Sequence, residues 1–286
     1  MKIAINGMGR IGRAALKIIL ETPELELVAV NDIVSAENIA YLLKYDSVYG
    51  IYEKTVSFDA DSLVVDGKKI NYSSIRNPEE LPWKENEIDL VIESTGLFTT
   101  MDGAEKHIKA GAKTVVISAP TSSNDIPTVV HGVNSKDGNS SIFSCASCTT
   151  NNISPIVEIL GRRVGIKKAI MTTVHAYTAS QGIVDSPSRK NFRMGRAGAV
   201  NLVPTTTGAA IATTKALPQY AGKFDGVAIR VPIPVGSISD MTFVTERSVS
   251  VEEINAILKE EAQTERYSKV IITTTEPIVS SVSPSL

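Results

Sequence analysis

Apolar and polar positions along the first half of the chain alternate between two periods. Lys2–Asn6, Glu26–Asp32, Ile88–Glu93 and Thr114–Ser118 are short apolar-rich runs that read as buried strands. Between them, Arg10–Glu21 sets Ile11, Ala14, Ala15, Ile18 and Ile19 at helical spacing, and Ala36–Lys44 and Asp102–Ala110 also read as helices. Strands alternating with helices predict a doubly wound parallel sheet, an α/β architecture.

The second half has a different pattern. Lys168–Thr178, Val227–Pro234 and Ser237–Glu246 read as long strands. Ser250–Glu265 reads as an amphipathic helix with Val251, Ile254, Ile257 and Leu258 on one face. Long strands followed by a helix predict an α+β domain with a mainly antiparallel sheet. The expected division is 1–147 and 148–286. A glycine- and arginine-rich stretch, Ser180–Asn201, interrupts the second part.

The first strand–helix junction carries chemistry. Residues 6–13 read N-G-M-G-R-I-G-R, so Gly7, Gly9 and Gly12 form G-x-G-x-x-G between a strand and a helix, and Asp32 follows twenty residues later at a strand end. The glycines permit a tight turn, close approach of a pyrophosphate and close helix–strand packing, as in a Rossmann-type dinucleotide-binding unit. The helix start offers unpaired N–H groups to the phosphates. Asp32 suits a ribose diol and repels a 2′-phosphate, which favours NAD over NADP. The bland reading is a plain strand–helix turn with a capping aspartate.

Bulk properties narrow the partners. The 286 residues carry 29 Lys and Arg against 31 Asp and Glu, a formal charge of −2. That balance gives no basic surface for nucleic acid or anionic membrane, so any anion site must be local. There is no long apolar run for a membrane span and no signal-peptide core at the start, and two cysteines three apart are too few for a disulfide framework, so a reducing, cytoplasmic location is expected.

Both cysteines lie in S-C-A-S-C-T-T-N-N, residues 144–152. Cys145 and Cys148 in C-x-x-C admit three readings. A thioredoxin-like dithiol is one, although the first strand–helix unit is already a nucleotide site. Zinc needs four ligands, and His107, His131 and His175 with one cysteine pair support it poorly, so no metal is expected. The third is a single nucleophile, Cys148, at the start of a helix in which Ile153, Ile156, Val157 and Leu160 are apolar. There the helix dipole and a nearby imidazole lower a thiol pKa. His175, in T-V-H-A-Y-T at the end of an apolar strand, is the best candidate base, although a lone histidine there is more often core. His107 and His131 read as structural.

These blocks together resemble the phosphorylating glyceraldehyde-3-phosphate dehydrogenases, as do E-S-T-G at 93–96, P-T-T-T-G-A-A at 204–210 and R-V-P at 230–232. The resemblance runs from residue 1 to about 280. It implies that Cys148 attacks the aldehyde carbon of glyceraldehyde 3-phosphate and that His175 takes the proton as hydride leaves for NAD. Inorganic phosphate then releases 1,3-bisphosphoglycerate from the thioester. It assigns Asn6, Gly7, Gly9, Arg10, Ile11, Gly12, Asp32, Ser94, Thr95, Gly96 and Ser118 to the cofactor. Thr178 and Arg230 would hold one phosphate, and Ser147, Thr149, Thr207 and Gly208 the other. Ser180–Asn201 resembles the loop through which family members reach a neighbouring subunit's cofactor, which implies a homotetramer. Pro187 with Asp32 resembles NAD-using members. Erythrose-4-phosphate dehydrogenase, whose acyl enzyme is hydrolysed, and a non-catalytic relative are the alternatives.

The sequence departs from that pattern in places. Asn152 stands where the family usually has a second cysteine, and Cys145 where asparagine is usual. Cys145 is thus either an oxidation partner for Cys148 or a small buried residue without redox role. Val235 and Gly236 follow R-V-P-I-P, where the family often has a polar residue. After E-P-I-V-S-S the family continues with a further strand and helix, so the second domain is expected to be incomplete and the isolated chain marginally folded.

Overall fold

A computed structural model describes residues 1–135, 140–188 and 191–282. The chain divides into two compact units. One comprises Met1–Thr128 with Lys136–Ala146, the other Val129–Ser135 with Ser147–Leu286. Residues 189–190 of the glycine- and arginine-rich stretch, and 283–286 of the chain end, lie outside the described residues.

In the first unit, β1 (Lys2–Asn6), α1 (Arg10–Glu21), β2 (Glu26–Asn31) and α2 (Ala36–Lys44) come first. A small ribbon of β3 (Tyr45–Asp46) and β4 (Gly50–Ile51) follows, then β5 (Val56–Phe58), β6 (Ser62–Val65) and β7 (Lys68–Ser73). The unit ends with β8 (Leu90–Glu93), α3 (Met101–Lys109), β9 (Thr114–Ile117) and β10 (Ile142–Ser144). The main sheet runs β10-β9-β8-β1-β2-β7-β6-β5. From β10 to β7 every pair is parallel, and β6 and β5 add an antiparallel edge. Strand order reverses between β1 and β8. In such sheets ligands bind at that point, beyond the carboxyl ends of the strands.

The core of this unit joins Ile3 and Ile5 of β1 to Leu16 and Ile19 of α1 and to Ile39 and Leu43 of α2. The rotation of α1 differs from the sequence expectation. Its buried residues are Gly12, Leu16 and Ile19, whereas Ile11 and Ile18 are 58% and 64% exposed. Gly12 explains the difference, because a Cβ there would come 2.0 Å from the Gly7 carbonyl oxygen. The helix can approach β1 only with this glycine facing inward, and the apolar stripe turns accordingly.

The second unit opens with α4 (Cys148–Arg163), followed by β11 (Ile166–Ala176), β12 (Val203–Thr206), α5 (Ala209–Ala216), β13 (Phe224–Val231), β14 (Ser237–Thr245) and α6 (Val251–Glu261). Its sheet runs β12-β13-β11-β14. β12 with β13 and β11 with β14 are antiparallel, and β11 with β13 is parallel. Helix α6 starts where expected, with the Ser250 hydroxyl accepting from the Glu253 N–H at 3.2 Å. Its buried side is narrower than the pattern implied: Ile257 and Glu261 are buried and Val251 is 71% exposed.

Glu261 joins Glu158 in an ion-pair network behind α4. Arg162 Nε donates to Glu158 at 3.0 Å and its Nη2 to Glu261 at 2.8 Å, while Arg163 Nη1 donates to Glu261 at 2.8 Å. The fully buried Tyr267 donates its hydroxyl to Glu158 at 2.6 Å, and Arg266 adds a bond at 3.1 Å. Among the described residues no helix is long and apolar enough to cross a membrane.

Candidate active site

Chain direction places the glycine loop at the switch point of the first sheet. After β1 the chain turns at Gly7, whose φ of 96° lies in the left-handed region that glycine adopts without strain. A Cβ on Gly7 would meet the Thr95 nitrogen at 2.6 Å, so the loop after β8 packs directly on this turn. The Ser94 hydroxyl donates to the Gly7 carbonyl at 2.7 Å. Gly9 caps α1 with no side chain bonded across its first turn, and the space where its Cβ would lie is open. That is a cradle shaped for a diphosphate: backbone N–H groups, a positive helix end and no intruding side chain.

Asp32 stands beside it, accepting from the Met8 N–H at 2.6 Å and the Val34 N–H at 3.0 Å. Each carboxylate oxygen keeps a second lone pair for a ribose hydroxyl. Gly96, with φ 74°, and Ser118, whose N–H donates to the Glu93 carbonyl at 2.9 Å, lie at the same strand ends. Arg10 turns its guanidinium to Asp46, at 3.6 Å, so it faces the cradle through its backbone. The residues present fit a dinucleotide such as NAD.

The tightness of this turn gives a direct test. Replacing Gly12 with alanine forces a Cβ into the Gly7 carbonyl. Overpacking of this kind costs about 1–3 kcal/mol. The expected result is a lower melting temperature and a weaker calorimetric NAD titration. Wild-type values for both would contradict the packing described.

The second unit holds the thiol. Cys148 is the first residue of α4, which is capped by Ser147: its hydroxyl accepts from the Thr150 N–H at 3.0 Å. Two residues before the cysteine, Ala146 is buried with φ 60°, a conformation most side chains avoid, so the chain enters the helix through a strained corner. The exposed Cys148 Sγ lies 3.2 Å from His175 Nε2. That hydrogen bond, with the imidazole charge and bonds from Thr149, holds the thiol below its ordinary pKa against the opposing effect of burial. The same contact raises His175 above the usual imidazole value.

Strand register brings the next group in. β11 and β13 are parallel with His175 opposite Arg230, so the two side chains share a face. His175 Nδ1 lies 2.8 Å from the Ala176 carbonyl oxygen, an atom that can only accept. Nε2 is the nitrogen that faces the thiol and can exchange a proton with it. Arg230 Nη1 donates to the same carbonyl at 2.9 Å and lies 2.8 Å from Nδ1. Its buried Nε has no protein partner.

The remaining predicted residues are less uniform. Thr178 is exposed and its hydroxyl pairs with Ser180 at 2.9 Å. Thr207 accepts from the Ala209 N–H at 3.1 Å, and Gly208 caps α5. Thr149 is buried, and the Ser147 hydroxyl caps α4. The Cys145 thiol donates to the Ile117 carbonyl at 3.4 Å, and burial pushes its pKa up, which lowers its reactivity. His107 is fully buried. Sequence reasoning missed the Ala176 carbonyl, which orients the imidazole through its backbone and so leaves no side-chain signal. Among the described residues no cluster of three or more His, Cys, Asp or Glu could hold a metal ion.

A dinucleotide cradle on one unit and a cysteine paired with a histidine on the other point to the class, an NAD-dependent dehydrogenase. Residues 1–101 match the family model described as glyceraldehyde 3-phosphate dehydrogenase, NAD binding domain, and residues 147–283 match the corresponding C-terminal domain. The chain is 48% identical to glyceraldehyde-3-phosphate dehydrogenase of Clostridium pasteurianum over 264 residues, 91% of this chain and 79% of the relative. It is 47% identical over 285 residues to that of Streptomyces coelicolor, and 46% identical over 283 to that of Geobacillus stearothermophilus. Each of these alignments covers 98% of this chain and 84% of the relative. The chain belongs to the glyceraldehyde-3-phosphate dehydrogenase family.

Proposed function

We propose that the chain oxidises glyceraldehyde 3-phosphate with NAD and inorganic phosphate to 1,3-bisphosphoglycerate, with residues 1–147 binding NAD and 148–286 catalysing. The observation that carries this is the Cys148–His175 contact at the start of α4. Cys148, held toward thiolate, attacks the aldehyde carbon and forms a C–S bond. The Cys148 N–H at the helix start and His175 Nε2 stabilise the oxygen of the resulting hemithioacetal. NAD, when bound, supplies the hydride acceptor. His175 takes the hydroxyl proton as the hemithioacetal becomes a thioester. Phosphate attacks the thioester carbonyl, and Cys148 leaves as thiolate, so the oxidation energy stays in the acyl phosphate.

Two phosphates need donors on a nearly neutral chain. Arg230, with its unsatisfied buried Nε, and Thr178 suit one. The start of α5 at Thr207 and Gly208, with Ser147 and Thr149 at the start of α4, suits the other. We also propose a homotetramer. Ile183, Val184, Phe192, Val200 and Leu202 are each more than two-thirds exposed, an apolar surface that a neighbouring subunit would cover. A cytoplasmic setting fits a chemistry that needs Cys148 as thiol.

The test follows NADH absorbance with NAD and glyceraldehyde 3-phosphate, with and without inorganic phosphate. Steady formation that requires phosphate is expected. A rate independent of phosphate would mean that water takes the acyl group, and soluble, NAD-binding protein without turnover would overturn the proposal.

A further inference from the structure

Behind the glycine loop lies a buried polar relay that the chemistry above does not use. Glu93 ends β8 and is 1% exposed. Its Oε2 accepts from Asn6 Nδ2 at 2.6 Å and lies 3.0 Å from His107 Nε2. Its Oε1 accepts from the Thr95 N–H at 2.8 Å and from the Thr95 hydroxyl. His107 is fully buried, with Nδ1 2.9 Å from Trp83 Nε1. An indole nitrogen only donates, so Nδ1 is the accepting nitrogen, and the imidazole proton sits on Nε2, toward Glu93. Four donors thus converge on one carboxylate, and nothing in the arrangement calls for it to donate.

The partners of this carboxylate are the cradle itself. Thr95 is the residue against which Gly7 packs. Asn6 ends β1 at the glycine turn and accepts from Asn31 Nδ2 at 2.8 Å, at the end of β2 beside Asp32. One anion therefore ties together the carboxyl ends of β1, β2 and β8, where the dinucleotide loops begin. We propose that Glu93, held by His107 and Trp83, is a positioning residue for NAD: it fixes the Ser94–Gly96 corner and the glycine turn in the geometry that receives the cofactor. This rests on NAD being the ligand of that loop.

The test is NAD affinity by calorimetry alongside thermal melts and Trp83 emission, Trp83 being the single tryptophan. Glu93→Gln turns an amide donor toward existing donors, and His107→Leu cuts the link to Trp83. Each should raise the NAD Kd about tenfold, the scale of a lost charge-assisted hydrogen bond. His107→Gln, whose amide can accept from Trp83 and donate to Glu93, should bind within about threefold of wild type. Trp83 emission should shift in His107→Leu and stay near wild type in His107→Gln. Folded Glu93→Gln or His107→Leu protein with wild-type Kd would overturn the proposal. So would a His107→Gln loss equal to that of His107→Leu, which would mark a packing role only. Should Glu93→Gln fail to fold, the two His107 variants decide. Wild-type protein that does not bind NAD would instead overturn the cofactor reading.

Discussion

Replacing Cys148 with alanine will abolish phosphate-dependent NADH formation, and replacing His175 with asparagine will lower kcat by about 10²–10⁴-fold, the usual contribution of a positioned acid–base group. The second variant has a sharper signature in pH. Alkylation of Cys148 follows its thiolate fraction and rises as pH passes the folded thiol pKa. The His175 hydrogen bond and charge lower that value, and burial opposes them. The wild-type midpoint should therefore lie below that of an ordinary thiol. In His175→Asn only the burial effect and the Thr149 bonds remain, so the midpoint should move upward. Iodoacetamide inactivation across pH measures both. An unchanged midpoint in His175→Asn would mean that the 3.2 Å contact does not activate the thiol.

The second large effect concerns stability. Glu158→Leu will destabilise the second unit by about 3 kcal/mol, because it strands the Tyr267 hydroxyl in the core and removes the shared acceptor of Arg162 and Arg266. For a unit of this size that corresponds to a melting shift of roughly 6–12 °C. Adding Tyr267→Phe removes the stranded hydroxyl and should recover part of the loss, which a double-mutant cycle on thermal melts would show. Additive losses would mean that the hydroxyl and carboxylate do not depend on each other.

Local patterning carried much of this architecture. β1, β2, β8 and β9 are apolar runs, and α2 falls where its periodicity placed it. β7 escaped notice because K-K-I-N-Y-S buries only Ile70, although it completes the parallel sheet beside β2. β5, β6 and β12 are short, with pairing set by partners elsewhere in the chain. At the sites, G-x-G-x-x-G with Asp32 was readable because its chemistry lies in one local turn. The surroundings that organise the sites were not, even where the family resemblance had already pointed to Arg230. Glu93 draws its meaning from His107 and Trp83, and Arg230 from the register that sets it opposite His175. Those neighbours exist only in three dimensions.

That register has a consequence for how the protein acquires its reactivity. His175 and Arg230 are 55 positions apart, and the cysteine lies on a different element again. The His175 share of the lowered thiol pKa, the largest, is thus a property of assembled tertiary structure. A newly made or refolding chain should stay chemically quiet at neutral pH until α4 meets the β11–β13 pair. Such long-range pairings form late in folding. The onset of Cys148 labelling would then act as a stopwatch for closure of the second unit.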